Sequence, residues 1–324
     1  MIQGFASVRM QVFRRLPPPD QRLPCALTIG NFDGVHLGHR ALLDELGRVA
    51  GRLGLPSCVL TFEPHPREFF AARHPGATAP PRIATLRDKL EALAATGLRR
   101  ACVAHFNQRF AALEPEAFVE RVIVDGLRAR SVLIGDDFRF GAQRRGDFAM
   151  LEALGARHGF EVGRMPTLAL GGERVSSSAV RAALARADFV RVERLLGRPY
   201  AISGHVVHGR KLGRELGFPT LNLRIPHGRP ALGGIFVVRV HGLADAPLAG
   251  VASLGTRPAV ETDGAPLLET HVLDWAGHAY GRIVRIEFLR KLRDEAKYDG
   301  LDALVAQIRL DAEQARTHFT AAAR

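Results

Sequence analysis

Apolar residues follow two rhythms along this chain, and one gives way to the other near residue 186. Upstream, short apolar runs alternate with stripes that recur every three to four positions. CALTI (25–29) reads as a buried strand, and Leu42, Leu46, Val49 and Leu53 line one face of the helix after it. SCVLTFEP, RACVAHF, ARSVLIGDDF and EVGRMPTLAL read as further strands. LRDKLEALAATGL, PEAFVERVIVDGL and FAMLEALGARHGF read as the helices between them, and a last short helix begins near SSSAVRAALA. MQVFRRL resembles a first strand, which leaves residues 1–9 as an extension and Met10 as a candidate start. Strand–helix alternation of this kind predicts a doubly wound parallel sheet with right-handed crossovers.

Downstream the pattern turns Gly-punctuated and β-rich. A helical connector over residues 187–198 leads to AISGHVVHG, FPTLNLRI, GIFVVRVHG, LAGVASLG, LETHVLDW and GRIVRIEFL. Short strands at this spacing predict an antiparallel sheet or small barrel. One helix closes the chain, with Asp299 as its cap and Leu301, Leu304, Val305 and Ile308 as its apolar face. The expected domains are therefore 1–186, α/β, and 187–324, all-β.

Composition narrows the class. A chain of 324 residues is comfortable for two cores. No segment approaches the run of about 18 apolar residues that spans a bilayer. The N-terminus lacks an apolar region ending in a small-residue cleavage site, so the expected location is cytoplasmic. Cys25, Cys58 and Cys102 are odd in number and form no CxxC pair, which argues against a disulfide framework or a thiolate zinc site. The net charge of +12 points to anionic partners. Its basic residues are scattered and mostly Arg, without a Lys/Arg block or an RNP-like aromatic signature. The expected partners are small phosphorylated molecules rather than nucleic acid or membrane; a homo-oligomer is left open.

GNFDGVHLGH (30–39) stands between a strand and a helix, where open α/β sheets place their ligands. Gly30 and Gly34 let backbone amides approach an anion, and Asn31, Phe32, Asp33 and Gly38 complete the turn. His36 and His39 lie one turn apart at the helix start, where both rings reach one anion and the helix N-terminus favours it. The string G-x-F-D-x-x-H-x-G-H resembles the signature of the HxGH nucleotidyltransferases. The second signature of that family, a Ser/Thr-rich turn ending in Arg, is matched by Ser176, Ser177, Ser178, Ala179, Val180 and Arg181. The resemblance implies a Rossmann-like domain that attacks the α-phosphate of a nucleoside triphosphate and releases pyrophosphate. His36 and His39 would hold the triphosphate and the pentavalent transition state, Ser177 and Ser178 the β- and γ-phosphates, and Arg181 would clamp them. Asp33 would orient the loop.

FEPHPREFF (62–70) and IGDDFRFGAQRRGD (134–147) fit a rigid surface turn and a charged loop as readily as ligand contacts, on their residues alone. Both resemble segments of the bacterial FAD synthetases, which implies flavin contacts at His65, Asp137, Phe138, Arg139 and Arg145.

In the second half, GHVVHGRKLGRELGFPTLNL (204–223) carries no Walker motif. Gly209, Gly213 and Gly217, with Arg210, Lys211 and Arg214 between them, could wrap a polyphosphate or form a long Gly-rich turn. On a strand from Pro219, Thr220 and Asn222 project to one face, a hydroxyl and an amide oxygen that suit Mg²⁺. Glu269 shares a face with His271 and is a candidate general base, or a carboxylate on a solvated face; Asp274 is the other carboxylate in reach. This half resembles riboflavin kinase in the G-R-x-L-G-F-P-T-x-N run, in GVASLGTRP and in the closing FLRKLRDEAKYDGLDALVAQI. The resemblance implies a six-stranded antiparallel barrel with a terminal helix, Mg²⁺ at Thr220 and Asn222, Glu269 as catalytic base, and ATP on the glycine-rich segment. Leu221 departs from the small Ala usual there, and because it faces away from Thr220 and Asn222 it should alter packing only. Together the halves are similar to the bacterial bifunctional riboflavin kinase/FAD synthetases, which implies ATP, riboflavin, FMN and FAD as ligands.

Overall fold

The computed structural model describes residues 9–209, 213, 216–226, 229–255 and 266–322. Residues 1–8, Arg210, Lys211, Arg214 and the end of the GVASLGTRP motif therefore lie outside the described residues.

The chain forms two compact units, and no single cut separates them. One comprises Met1–Pro80 and Lys89–Val175, the other Pro81–Asp88 and Ser176–Arg324. The first unit is built on β1 (Gln11–Phe13), β2 (Cys25–Ile29), β3 (Ser57–Glu63), β4 (Arg100–His105), β5 (Ala129–Gly135) and β6 (Glu161–Met165). They form a sheet of order β1-β4-β3-β2-β5-β6 in which every pair is parallel. Alternate residues pack to opposite faces, so both faces are buried. Cys25, Leu27, Cys58, Leu60 and Cys102 join one core; Ala26, Val59, Ala101 and Leu133 join the other.

Helix α1 (Leu37–Leu53) buries Leu42, Leu46 and Val49 as the stripe predicts. Leu53 is 38% exposed, because the helix stops one residue later at Gly54 in the left-handed region. Further helices are α2 (Pro66–Ala71), α3 (Leu86–Ala94), α4 (Gln108–Ala111), α5 (Pro115–Phe118) and α6 (Phe148–His158). Where one continuous helix is predicted at PEAFVERVIVDGL, α5 passes into a π-helix over Val119–Val124. EVGRMPTLAL yields β6 and then β7 (Ala169–Leu170), which pairs in a small ribbon with β8 (Glu173–Arg174).

In the second unit, α7 (Ser177–Ala185) and α8 (Phe189–Leu196) precede the barrel strands β9 (Ala201–His205), β10 (Thr220–Arg224), β11 (Gly234–His241), β12 (Leu248–Leu254), β13 (Leu267–Val272) and β14 (Ile283–Arg293). Their order is β10-β13-β12-β11-β14-β9, antiparallel throughout. Just past β9, the Val207 N–H donates to the Asn222 carbonyl at 2.8 Å and nearly closes the barrel. Leu221, Leu223, Leu268 and Phe288 are buried. The closing helix α9 (Leu301–Ala322) packs Ala312, Ala315 and Phe319 on Val237 and Leu273. It starts from the Gly300 carbonyl, one residue beyond Asp299, and Leu301 is 56% exposed. Leu304, Val305 and Ile308 of the predicted face are half-buried, and the face continues through Ala312 and Ala315.

Segment Pro81–Asp88 joins this unit through specific bonds. The Arg82 N–H donates to the Arg229 carbonyl (2.9 Å), and the Tyr200 hydroxyl donates to the Ile83 carbonyl (2.9 Å). The Asp88 carboxylate accepts the Ser203 N–H of β9 (3.1 Å).

Candidate active sites

The first candidate site stands at the C-terminal end of β2. Strand order reverses there, with β3 on one side and β5 on the other, and open sheets bind ligands at such switch points. The Gly30 N–H donates to the Leu60 carbonyl (3.0 Å), and Thr61 Oγ1 donates to the Asn31 carbonyl (3.1 Å). Phe32 and Val35 hold positive φ, 48° and 41°, which non-glycine residues seldom adopt unless the surroundings enforce it. Burial enforces it here: Phe32, Asp33 and Val35 are almost wholly buried.

His36 caps α1, its Nδ1 accepting the His39 N–H at 3.3 Å. With Nδ1 accepting, the proton of a neutral His36 ring sits on Nε2. The two imidazoles stack, centroids 3.7 Å apart and 16° from parallel. Gly38 is fixed by its neighbours, since a Cβ there would lie 3.2 Å from His36 Nδ1 and 3.3 Å from the Val175 carbonyl oxygen. His39 Nδ1 is buried without a hydrogen-bond partner. Burial, and then the nearby His36 and Lys89, hold the His39 imidazole well below its ordinary value, so it is neutral at pH 7.

Lys89 is a residue that sequence reasoning missed. It is fully buried in α3, beside Leu93. The available signal was its place on the apolar stripe with Leu86 and Leu93.

His65 is buried and caps α2: its Nδ1 accepts the Arg67 N–H (3.1 Å), while Glu68 accepts the His65 N–H (3.2 Å). That is a capping box, so this ring shapes the turn whatever else it does. Asp137 pairs with Arg174 (3.0 Å), Arg139 with Asp147 (3.4 Å) and Arg145 with Glu114, all at the surface. Phe138 stacks on Phe140 at 5.7 Å and 19°.

In the second unit, Ser176 caps α7 by accepting the Ala179 N–H (3.2 Å), which places Ser177 and Ser178 in the first two helical positions. Helix amides there point outward and favour anions. Arg181, one turn on, donates Nε–H to the Pro81 carbonyl (2.7 Å).

The barrel presents the other candidate site. Thr220 lies opposite His271 and Asn222 opposite Glu269 on the paired strands β10 and β13. Directly opposed side chains have Cβ atoms about 5 Å apart. One face thus gathers a hydroxyl, an amide, a carboxylate and an imidazole. Asn222 Oδ1 is buried and lacks a hydrogen-bond partner, while its Nδ2 reaches the Thr220 carbonyl at 3.4 Å. An amide oxygen with nothing to accept fits a hard cation, which takes oxygen ligands. A Cβ on Gly209 would fall 2.5–2.8 Å from the Asn222 amide, and one on Gly213 would fall 2.5 Å from the Phe218 carbonyl oxygen. Gly217 has φ 84°, in the left-handed region. Asp274 is exposed and bound to Arg316 at 2.9 Å, which holds its carboxyl below the usual range.

Comparison with known proteins bears on both sites. A FAD synthetase family model matches residues 19–179, and a riboflavin kinase model matches residues 196–319. The bifunctional riboflavin kinase/FMN adenylyltransferase of Pseudomonas fluorescens is 47% identical over 292 residues, 90% of this chain and 92% of that one. The protein of the same description from Escherichia coli K12 is 45% identical over 91% of this chain and 93% of its own length. That from Haemophilus influenzae is 42% identical over 96% and 99%. This chain belongs to the bifunctional riboflavin kinase/FMN adenylyltransferase family.

For a member of the bifunctional riboflavin kinase/FMN adenylyltransferase family, a parallel six-stranded sheet in one unit and a nearly closed antiparallel barrel in the other agree with the two domain matches. A crystal structure of a macrolide-efflux protein from Streptococcus pneumoniae also aligns, with TM-score 0.72 and 26% identity, over 95% of this chain and 99% of that one. Efflux is in the name of that protein; among the described residues here, no helix is long and apolar enough to cross a membrane.

Proposed function

We propose that this chain phosphorylates riboflavin with ATP to give FMN and ADP, then adenylylates FMN with ATP to give FAD and pyrophosphate. The observation that carries the reading is the face of β10 and β13, with Thr220 and Asn222 beside Glu269, in a chain that also bears the stacked His36–His39 pair at a helix start. In this reading, residues 1–186 carry adenylyl transfer and residues 187–324 the kinase.

In the kinase, Glu269 takes the proton of the primary hydroxyl of riboflavin as that oxygen attacks the γ-phosphorus and ADP leaves. The glycine-rich segment, with Gly209, Gly213, Gly217 and Lys211, receives the nucleotide phosphates. Thr220 and Asn222 hold Mg²⁺, whose chemistry is to neutralise phosphate charge. The unpartnered Asn222 Oδ1 supports that assignment.

In the transferase, an FMN phosphate oxygen attacks the α-phosphorus of ATP and pyrophosphate leaves. The nucleophile is already anionic, so alignment and charge dispersal are the main requirements. His36 and His39 hold the triphosphate, with the loop of Gly30, Asn31, Phe32, Asp33 and Gly38 shaping their approach. Ser177 and Ser178 hold the β- and γ-phosphates, and Arg181 adds charge-assisted bonds. Phe138 offers an aromatic face to the flavin, with His65, Asp137, Arg139 and Arg145 around it. Exposed ion pairs such as Arg139–Asp147 are weak and exchange readily for a phosphate. A cytoplasmic location suits the three unpaired cysteines, which stay reduced there.

The test is a time course with riboflavin, ATP and Mg²⁺, separating the flavins chromatographically. FMN should rise first and FAD after it. His36→Ala should stop at FMN, and Glu269→Gln should leave riboflavin untouched yet convert supplied FMN to FAD. A folded parent protein that turns over neither flavin would overturn the reading.

A further inference from the structure

His271 lies on the face of β13 that bears Glu269, directly opposite Thr220, and the reactions above give it no task. Its Nδ1 stands 2.9 Å from the Pro219 carbonyl oxygen. A carbonyl can only accept, so Nδ1 carries the proton and His271 is the donor. Phe218 meets the same ring edge to face, 5.4 Å away at 80°. The imidazole is therefore held from two successive residues of the incoming chain.

The place of that bond matters. The β10–β13 ladder begins at Thr220, so the Pro219 carbonyl lies one step beyond the last paired residue. Proline has no N–H and a fixed φ, so its carbonyl is the one backbone group through which Pro219 can be tied to a neighbouring strand. His271 supplies that tie with a side chain. Downstream, Asn222 is anchored by its own carbonyl, which accepts the Val207 N–H. The segment carrying both oxygen donors is thus pinned at each end, by Val207 at Asn222 and by His271 just ahead of Thr220.

We infer that His271 is a positioning residue of the kinase: its Nδ1–H holds the Pro219 carbonyl and thereby fixes Thr220 beside Asn222 for the cation–phosphate group. The inference rests on the proposed kinase reading. The bond needs only a donor at the Nδ1 position. Asparagine places its amide nitrogen near that point, glutamine one carbon further out, and alanine nowhere.

The experiment compares His271→Asn, His271→Gln and His271→Ala with the parent protein. It measures riboflavin phosphorylation against Mg²⁺ concentration, and Mn²⁺ binding in the presence of ADP by electron paramagnetic resonance. FMN adenylylation in the same chain serves as one folding control. The melting transition seen by Trp275, the single tryptophan, serves as the other. His271→Ala should raise the Mg²⁺ half-saturation and the Mn²⁺ dissociation constant about 10-fold, the scale on which outer partners of metal sites act. The KM for riboflavin should stay within about twofold, since the tie acts on the phosphate side. His271→Asn should recover most of the loss and His271→Gln little of it. Parent-like metal constants in His271→Ala overturn the inference, as does an Asn variant no better than Gln. If alanine prevents folding, the Asn–Gln comparison still decides. Should the parent itself fail to phosphorylate riboflavin, the kinase reading falls, while the Mn²⁺ measurement judges His271 separately.

Discussion

Burial disfavours a charged ring at His39, two imidazoles stacked 3.7 Å apart cannot both gain a proton cheaply, and Lys89 adds a cation to the same neighbourhood. His39 therefore titrates below a free histidine, and the sign of the linkage follows. Below about pH 6.5 the unfolded chain binds a proton at this position that the folded chain refuses, so stability falls as the pH drops through that value. Above it, both states are neutral and the contribution vanishes. Denaturant melts between pH 7.5 and 5.5 should show the loss, and His39→Gln should flatten it; an unchanged slope would count against the neutral ring. The same scale governs Gly209. Its missing Cβ leaves room for the Asn222 amide, so Gly209→Ala must displace that side chain or the turn. Riboflavin phosphorylation should fall at least about 10-fold while adenylylation of supplied FMN holds, measured on one preparation. Spacing put His36 and His39 at one helix start and Thr220, Asn222 and Glu269 on one sheet face, where they stand. On spacing alone Glu269 fits a solvated face as well, and the roles come from the family resemblance. Sequence did not reveal the capping role of His65, a local bond set that the Pro-His-Pro turn hides, nor the charge of Lys89 near His39, which arises from a contact between distant segments.

Among the elements, α9 meets the barrel through an ion pair as well as through its small apolar face. Arg293 at the end of β14 grips Asp311 with Nε at 3.0 Å and Nη2 at 2.7 Å, and Gln307 adds a third donor at 3.0 Å. Asp311 is almost wholly buried. Removing one member of such a pair leaves the other uncompensated, which costs about 3 kcal/mol. Asp311→Ala should lower stability by that amount in urea melts; a change below about 1 kcal/mol would place the pair among weak surface contacts. Periodicity announced the helix and part of its face: Leu304, Val305 and Ile308 are half-buried, but Leu301 is exposed and the deepest positions, Asp311, Ala312 and Ala315, lie beyond the predicted stripe. Alanines and an aspartate are residues that a hydrophobic stripe does not flag. The π-helix at Val119–Val124 escaped for a related reason, since one extra residue per turn leaves the apolar pattern of a short helix almost unchanged.

At the scale of the molecule, the two sheets were legible because period and punctuation change together along the chain. The membership of Pro81–Asp88 was not: a proline-rich loop running into a helix start carries no mark of the unit it joins. Its bonds supply a test. A fragment beginning at residue 187 loses the Ile83 acceptor of the buried Tyr200 hydroxyl and the Asp88 acceptor of the Ser203 N–H. Each buried polar group left unsatisfied costs about 1–3 kcal/mol. Followed by Trp275 fluorescence, the fragment should melt below the same unit in the whole chain, and equal melting temperatures would refute the claim. The same eight residues bear on inheritance. A recombination event that exchanges one half of this gene with that of a distant relative, breaking anywhere between codons 89 and 175, delivers a barrel from one parent and its backing segment from the other. Lineages that shuffle the two activities as separate cassettes would have to evolve a substitute for that segment, or keep both halves travelling together.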